Sequence, residues 1–167
     1  MRRQTAVIGS AVFFVAVPLV VGGIIPWLLN GWQFRPAFPG MAPIRLAGIA
    51  LVLAGLPVLI DSFARFALQG LGTPAPVAPT RHLVVTGFYR HVRNPMYVAV
   101  LAVILGQALL FADVRLLAYG FVFWLACHLF VVFYEEPTLS RSFGADYDVF
   151  RANVPRWIPR FRPWSPR

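Results

Sequence analysis

The chain has 167 residues, of which 59% are apolar, and its mean hydropathy is +0.70. This composition excludes an ordinary soluble domain of the same size and predicts a single integral membrane domain over residues 1–167. The fifteen basic residues are all arginine and stand against six acids, so the net charge is +9. Because these arginines flank apolar stretches, the charge indicates a lipid bilayer as partner and argues against nucleic acid.

Two apolar stretches in the first half of the chain predict two transmembrane helices. The first, at about 5–29, is longer than the apolar core of a signal peptide and can cross a hydrocarbon layer of about 30 Å. A connection at 30–43, rich in proline and glycine, leads to the second span at about 44–68. Proline and glycine recur at 69–80, and because both disfavour a helix, we expect a surface loop or lid there.

The second span contains two charged residues near its end. Asp61 and Arg65 are four residues apart, so they lie on one face of the helix. A mutual ion pair near the headgroups is the favoured interpretation. A functional role is the alternative, because ionisable residues inside a span are costly.

The second half of the chain predicts a helical hairpin. Its spans, at about 95–111 and 116–134, are joined by a short reversal and must therefore be antiparallel. Residues equally distant from the reversal lie at similar depth, which brings 94–97 level with the end of the fourth span. Glu135 and Glu136 follow there, and because acids at a helix C-terminus oppose the helix dipole, we expect a local partner for at least one of them.

A short interfacial helix and a non-helical tail are predicted after the fourth span. The helix begins at Pro137 and places Leu139, Phe143, Tyr147 and Phe150 near helical spacing. The tail, VPRWIPRFRPWSPR, mixes proline with arginine and tryptophan, so we expect it to lie along anionic headgroups. The predicted fold class is an all-α integral membrane bundle of about four transmembrane helices, the last two forming a hairpin, with a C-terminal interfacial helix.

The distribution of arginine predicts the topology. With four spans, both termini and the loop at 69–80 share a side that carries twelve arginines, against Arg35, Arg45 and Arg115 on the other side. The positive-inside rule makes the arginine-rich side cytoplasmic. Arginine in place of lysine suggests a G+C-rich genome, and no eukaryotic targeting signal is evident, so we expect a bacterial inner membrane protein.

A polar cluster, YRHVRN at 89–94, stands directly before the third span. Its basic residues form a membrane anchor in the simplest interpretation. Opposite the two glutamates of the hairpin, the same cluster forms a polar site at the membrane surface. Within the hairpin, Gln107 and His128 are expected to make interhelical hydrogen bonds. With three histidines, one cysteine and six acids, the composition argues against a metal site.

Two blocks of the second half carry a family resemblance. The run LVVTGFYRHVRNPMY at 83–97, followed by YEEPTLSRSFGADYDVFRANVPRWIP at 134–159, resembles the isoprenylcysteine carboxyl methyltransferase and phospholipid methyltransferase group of integral membrane enzymes. The resemblance implies that S-adenosylmethionine is the methyl donor and that residues from about 69 to 167 form the cofactor-binding half. The residues that match cofactor-binding positions are Arg81, His82, Leu83, Val84, Tyr89, Asn94, Pro95, Met96, Tyr97 and Glu135.

The implied methyl acceptor is hydrophobic or lipid-borne, and its reactive group stays open. Val131 occupies the position at which isoprenylcysteine enzymes carry a substrate-contacting arginine, which puts recognition of a prenylcysteine carboxylate in question. A carboxylate needs no deprotonation at neutral pH. An ammonium must first lose a proton, so N-methylation would require a base, for which Glu136 and His91 are the candidates.

Two other functions stay open from the sequence. One is a non-enzymatic membrane scaffold or binding subunit with the same bundle. The other is a membrane reductase with a related helical core, which would bind a nicotinamide cofactor; the sequence shows no glycine-rich dinucleotide fingerprint. Cofactor binding distinguishes these functions, whereas the sequence leaves the oligomeric state undetermined.

Overall fold

Apolar helices form most of the molecule. A computed structural model describes residues 16–36, 40–69 and 82–165. Within these ranges the helices are α1 (Ala16–Asn30), α2 (Met41–Gln69), α3 (Pro95–Phe111), α4 (Val114–Phe143) and α5 (Ala145–Asn153). No strand occurs in the described ranges, so the predicted all-α class is confirmed. Three predicted features lie outside the described ranges: the start of the first span, the lid and Arg81.

Among the described residues, two helices are long and apolar enough to cross a bilayer: α4 and the Met41–Arg65 part of α2. The outward face of α2 is apolar. Its side chains Leu46, Leu53 and Ile60 recur every seven residues and are 64 to 68% exposed. Large apolar side chains on an outer surface are favourable where lipid replaces water. The described helices therefore form a membrane bundle.

Small residues let α2 and α3 pack closely. Gly48, Gly55 and Ser62 also recur every seven residues, on the opposite face of α2, and all three are buried. A Cβ atom at Gly48 would lie 2.6 Å from the carbonyl oxygen of Gly106, and one at Gly106 would lie 2.7 Å from that of Gly48. The two backbones are thus nearly in contact, as is usual where small residues line a membrane helix interface.

A π-helical turn in α1 accepts hydrogen bonds from side chains of the hairpin. Pro26 has no amide hydrogen to donate to the carbonyl oxygen of Gly22, and a π-helical turn spans Val20–Ile24 just before it. Gln107 donates its side-chain amide to Gly22 O at 2.7 Å, and Tyr119 donates its hydroxyl to Val21 O at 2.8 Å. The predicted interhelical role of Gln107 is confirmed.

The reversal between α3 and α4 is fixed by a buried aspartate. Asp113 is the N-cap of α4 and accepts from the backbone amide of Arg115 at 2.9 Å. Its carboxylate also accepts from Asn30 at 2.7 Å, from Arg35 at 3.1 Å and from the Arg115 guanidinium at 2.6 Å. These hydrogen bonds, led by that of Arg115, lower the pKa of Asp113 far below its ordinary range, although burial opposes them. The end of α1 is thereby tied to the hairpin.

The end of α4 differs from the prediction. The helix does not stop near 134 and restart at Pro137; it runs through a π-helical turn, Val131–Glu135, in which the amide of Glu136 bonds to Val131 O. The wide turn absorbs the proline, so the helix continues to Phe143. The break comes at Gly144, whose positive φ of 51° favours glycine, and α5 begins at Ala145. The helix predicted from Pro137 is therefore divided, because its first part, to Phe143, continues α4 and its second part is α5. Its position in the interface stays a prediction, and the two glutamates lie inside α4 rather than at its end.

Candidate functional site

The polar cluster before α3 is a compact turn. Gly87–Arg90 forms a 3₁₀ turn, and Pro95 is the first residue of α3. Asn94 is the N-cap of α3, but its side chain does not cap the helix. It donates instead to the backbone carbonyl of Arg156 at 3.1 Å, so the start of α3 is joined to the tail.

Tyr97 on α3 meets Glu135 on α4. The tyrosine hydroxyl donates to Glu135 Oε2 at 3.2 Å, across 38 residues of sequence. The prediction that the hairpin brings these two regions to one depth is confirmed. Glu135 closes the π-helical turn of α4, and such turns are frequent at functional sites.

Tyr89 is buried beside this pair, and the described residues offer its hydroxyl no hydrogen-bond partner. Its side chain is 6% exposed, and its hydroxyl contacts no donor or acceptor within the described part of the chain. Burial raises the pKa of the Tyr89 hydroxyl above its ordinary range, and the charges of Glu135 and Asp61 raise it further. An unpaired buried hydroxyl is costly, and such groups are rare in native structures.

Glu136 has different surroundings from Glu135. Both of its oxygens accept from Arg156, at 2.6 and 2.9 Å, and Arg93 adds a third contact at 3.1 Å. Arg93 also donates to the hydroxyl of Tyr147 on α5 at 3.2 Å. The expected partner for one glutamate is present, and Glu136 ties α4, α5 and the tail together.

The tail is non-helical, as predicted, and packs along the polar cluster. The amide of Arg93 donates to Pro155 O, that of Arg160 to His91 O and that of Trp164 to Arg90 O, each at 2.9 Å. His91 Nδ1 lies 2.8 Å from Arg160 O. The backbone of the tail is therefore bonded to protein, while contact of its exposed Phe161 and Ile158 side chains with headgroups stays a prediction.

Aromatic side chains line the space between tail and hairpin. The indole of Trp157 donates to His128 Nδ1 at 3.0 Å, and its ring lies 6.4 Å from that of Tyr97. His128 stacks on Trp124 at 5.3 Å. The predicted hydrogen-bonding role of His128 is therefore correct, but its partner comes from the tail rather than from a helix.

Two of the remaining predicted cofactor residues lie in a cavity away from the pair of Tyr97 and Glu135. His82 and Leu83 line a cavity of about 1010 Å³, together with Phe150 of α5 and Trp164 of the tail. Val84 is buried, and Met96 is half-buried at the start of α3. The structure thus brings Tyr89, Tyr97 and Glu135 together and places His82 and Leu83 in the cavity against α5.

Residues 44–146, more than half of the chain, match a family model described as phospholipid methyltransferase. The chain belongs to the phospholipid methyltransferase family. No curated protein matches the chain. Family membership confirms the resemblance seen in the two blocks and makes this a membrane protein of a methyltransferase family.

The family match reaches from α2 to the start of α5, so it includes the polar cluster and both glutamates. It does not include the tail, whose contacts sequence reasoning missed. Arg156 and Trp157 are the clearest examples, because each contacts a residue at least twenty positions away. Two features of the sequence could have indicated these contacts: Glu136, an acid that needed a partner, and the continuation of the second block to Pro159.

Proposed function

We propose that this protein transfers a methyl group from S-adenosylmethionine to a phospholipid or a similar hydrophobic acceptor. The observation that carries the proposal is the contact between Tyr97 and Glu135, which unites the two motif blocks inside the region that matches the phospholipid methyltransferase family. The unpaired hydroxyl of Tyr89 beside them supplies a polar group for a ligand.

The residues present fit this cofactor. Glu135 offers a carboxylate for the ammonium group, and the rings of Tyr89 and Tyr97 offer π faces for adenine or the cationic sulfur. When bound, S-adenosylmethionine supplies an electrophilic methyl group whose transfer leaves a neutral thioether. The protein has to orient donor and acceptor and exclude water, so neither a metal nor a covalent nucleophile is required.

The two candidate bases differ in their surroundings. Glu136 gives both oxygens to Arg156 and one also to Arg93, and this pairing favours a positioning role over proton abstraction. At His91, the bond between Nδ1 and Arg160 O places the proton on Nδ1 and leaves Nε2 as the basic nitrogen. For an amine acceptor we therefore favour His91 as the base, while a carboxylate acceptor would need none.

The site is expected to face the cytoplasm. It lies at the same membrane face as the tail, whose arginines make that face the more positive one. A soluble cofactor would then arrive from the cytoplasm and a lipid acceptor from the bilayer. A bacterial inner membrane is the expected location.

Calorimetric binding of S-adenosylmethionine to detergent-purified protein tests the proposal. We expect a dissociation constant near 1 μM, about 8 kcal/mol. Glu135→Gln and Tyr97→Phe should each weaken it about tenfold, or about 1.4 kcal/mol. Tyr134→Phe is the matched control, because Tyr134 precedes Glu135 but stacks on Phe130.

A folded wild-type sample that does not bind S-adenosylmethionine would contradict the proposal. The same titration with NADPH would then separate the alternatives, since a reductase binds a nicotinamide cofactor and a scaffold binds neither.

A further inference from the structure

The ion pair of α2 is arranged asymmetrically. Arg65 Nε lies 2.9 and 2.8 Å from the two oxygens of Asp61, which confirms the predicted pairing. The carboxylate contacts Nε alone, so the two terminal amino groups of the guanidinium take no part in this pairing. About a third of each side chain is exposed.

The same arginine lies against the polar turn before α3. A Cβ atom at Gly87 would be 2.0 Å from Arg65 Nε and 2.6 Å from Arg65 Cζ, so the guanidinium rests on the bare backbone of that glycine. Tyr89 follows two residues later, and the charge of Asp61 acts on its hydroxyl. The pair is therefore part of the wall of the candidate site rather than an isolated headgroup contact.

Three other arginines of this face bond to the protein itself. Arg93 and Arg156 hold Glu136, and Arg90 donates to the carbonyl of Trp164 and the hydroxyl of Ser165. On α4, Val131 is 1% exposed and offers no charge. Arg65 differs because it lies at the end of the membrane-spanning part of α2 and against Gly87 of the polar turn.

We propose that Arg65 binds the phosphate of a phospholipid acceptor, with Asp61 fixing the guanidinium through Nε; this inference rests on the proposed function. The paired terminal nitrogens of arginine match two oxygens of a phosphate. The membrane-spanning part of α2 ends at Arg65, and a residue at the end of a span is expected at the level of the lipid phosphates. Arg65 also lies against Gly87, two residues before Tyr89. A methyl group at Gly87 would displace the guanidinium, and the positive φ of 56° at this residue also favours glycine.

Kinetics with two acceptors test the assignment. A short-chain phosphatidylethanolamine carries the phosphate, and dodecylamine in the same micelles is an amine without one. Arg65→Gln should raise the KM for the phospholipid at least tenfold and leave the rate with dodecylamine and the Kd of S-adenosylmethionine within twofold of wild type. Arg65→Lys should recover only part of the loss, because an ammonium cannot make the paired contact.

Arg45→Gln is the matched control, since Arg45 is on the same helix but at its other end, bonded to Arg35 O. This variant should leave the KM for the phospholipid and the rate with dodecylamine unchanged. An unchanged KM in Arg65→Gln would overturn the inference. A parallel loss of S-adenosylmethionine affinity would also overturn it, because Arg65 would then hold the cofactor carboxylate.

Direct binding of the short-chain phosphatidylethanolamine, followed by tryptophan fluorescence without cofactor, separates this inference from the proposed function. Wild type should bind the lipid and Arg65→Gln at least tenfold more weakly, with both proteins monodisperse and equally resistant to heat. If wild type binds S-adenosylmethionine but not the lipid, the role of Arg65 is overturned and the proposed cofactor site is not affected. Wild type that binds the lipid but not S-adenosylmethionine would refute methyl transfer, while the Arg65 variant would still decide the phosphate contact.

Discussion

Tyr89 combines deep burial with a hydroxyl that no described residue satisfies. Such a group costs about 1 to 3 kcal/mol of folding free energy. Tyr89→Phe should therefore raise the thermal stability of the ligand-free protein in detergent by about 1 kcal/mol, while it weakens binding of S-adenosylmethionine. Tyr147→Phe is the contrasting variant, because its hydroxyl accepts from Arg93 and its loss should destabilise the protein. If Tyr89→Phe lowered stability, the hydroxyl would already have a partner in solution.

The contribution of Asp113 to stability depends on pH. Hydrogen bonds from Arg115, and then from Asn30 and Arg35, hold its pKa below the ordinary value, so the unfolded carboxylate binds a proton more readily than the folded one. Its contribution to stability is complete above the ordinary pKa of about 4 and declines as the pH falls below that value. Melting temperatures between about pH 7 and pH 3 should fall less steeply in Asp113→Asn than in wild type. Asp146→Asn, at an exposed position, should keep the wild-type slope.

At the scale of the helices, the contact of α2 with α3 depends on missing side chains. Gly48→Ala places a methyl group 2.6 Å from a backbone oxygen, which no rotamer change can relieve. We expect a loss of about 1 to 3 kcal/mol, the usual cost of overpacking, measured as thermal unfolding in detergent. Gly23→Ala is the control, because its methyl group would meet only Leu19 Cδ1, at 3.7 Å. Equal stability of Gly48→Ala and wild type would show that the helices are farther apart than the structure has them.

Sequence reasoning succeeded where geometry is local. In a hairpin with a short reversal, counting residues outward gives depth, so the meeting of Tyr97 with Glu135 was predictable. The course of α4 was not, because proline usually marks a helix boundary and a π-helical turn that absorbs Pro137 leaves no periodic pattern. The pairing of Glu136 with Arg156 could not be predicted either. A tail without helical or strand periodicity does not indicate which of its residues lies beside which residue of α4.

At the scale of the whole molecule, the tail completes the site. Removal of residues 157–167 deletes the backbone bonds from Arg160 to His91 and from Trp164 to Arg90 but leaves the α2–α3 contact intact. We expect a protein that still folds and binds S-adenosylmethionine at least tenfold more weakly by calorimetry. Phe161→Ala is the control, because this side chain is fully exposed. Undiminished affinity of the shortened chain would show that the tail only covers the site.

The separation in sequence between the polar cluster and the tail also has a consequence for biosynthesis. Arg90 bonds to a carbonyl that is translated 74 residues later. At about 5 to 20 residues per second, the ribosome needs about 4 to 15 s to cover that distance. The intervening residues include α3 and α4, so the hairpin itself is translated in this interval, before the tail can bond to the polar cluster. The polar cluster of a nascent chain therefore lacks its bonds to Arg160 and Trp164 until the tail has been translated.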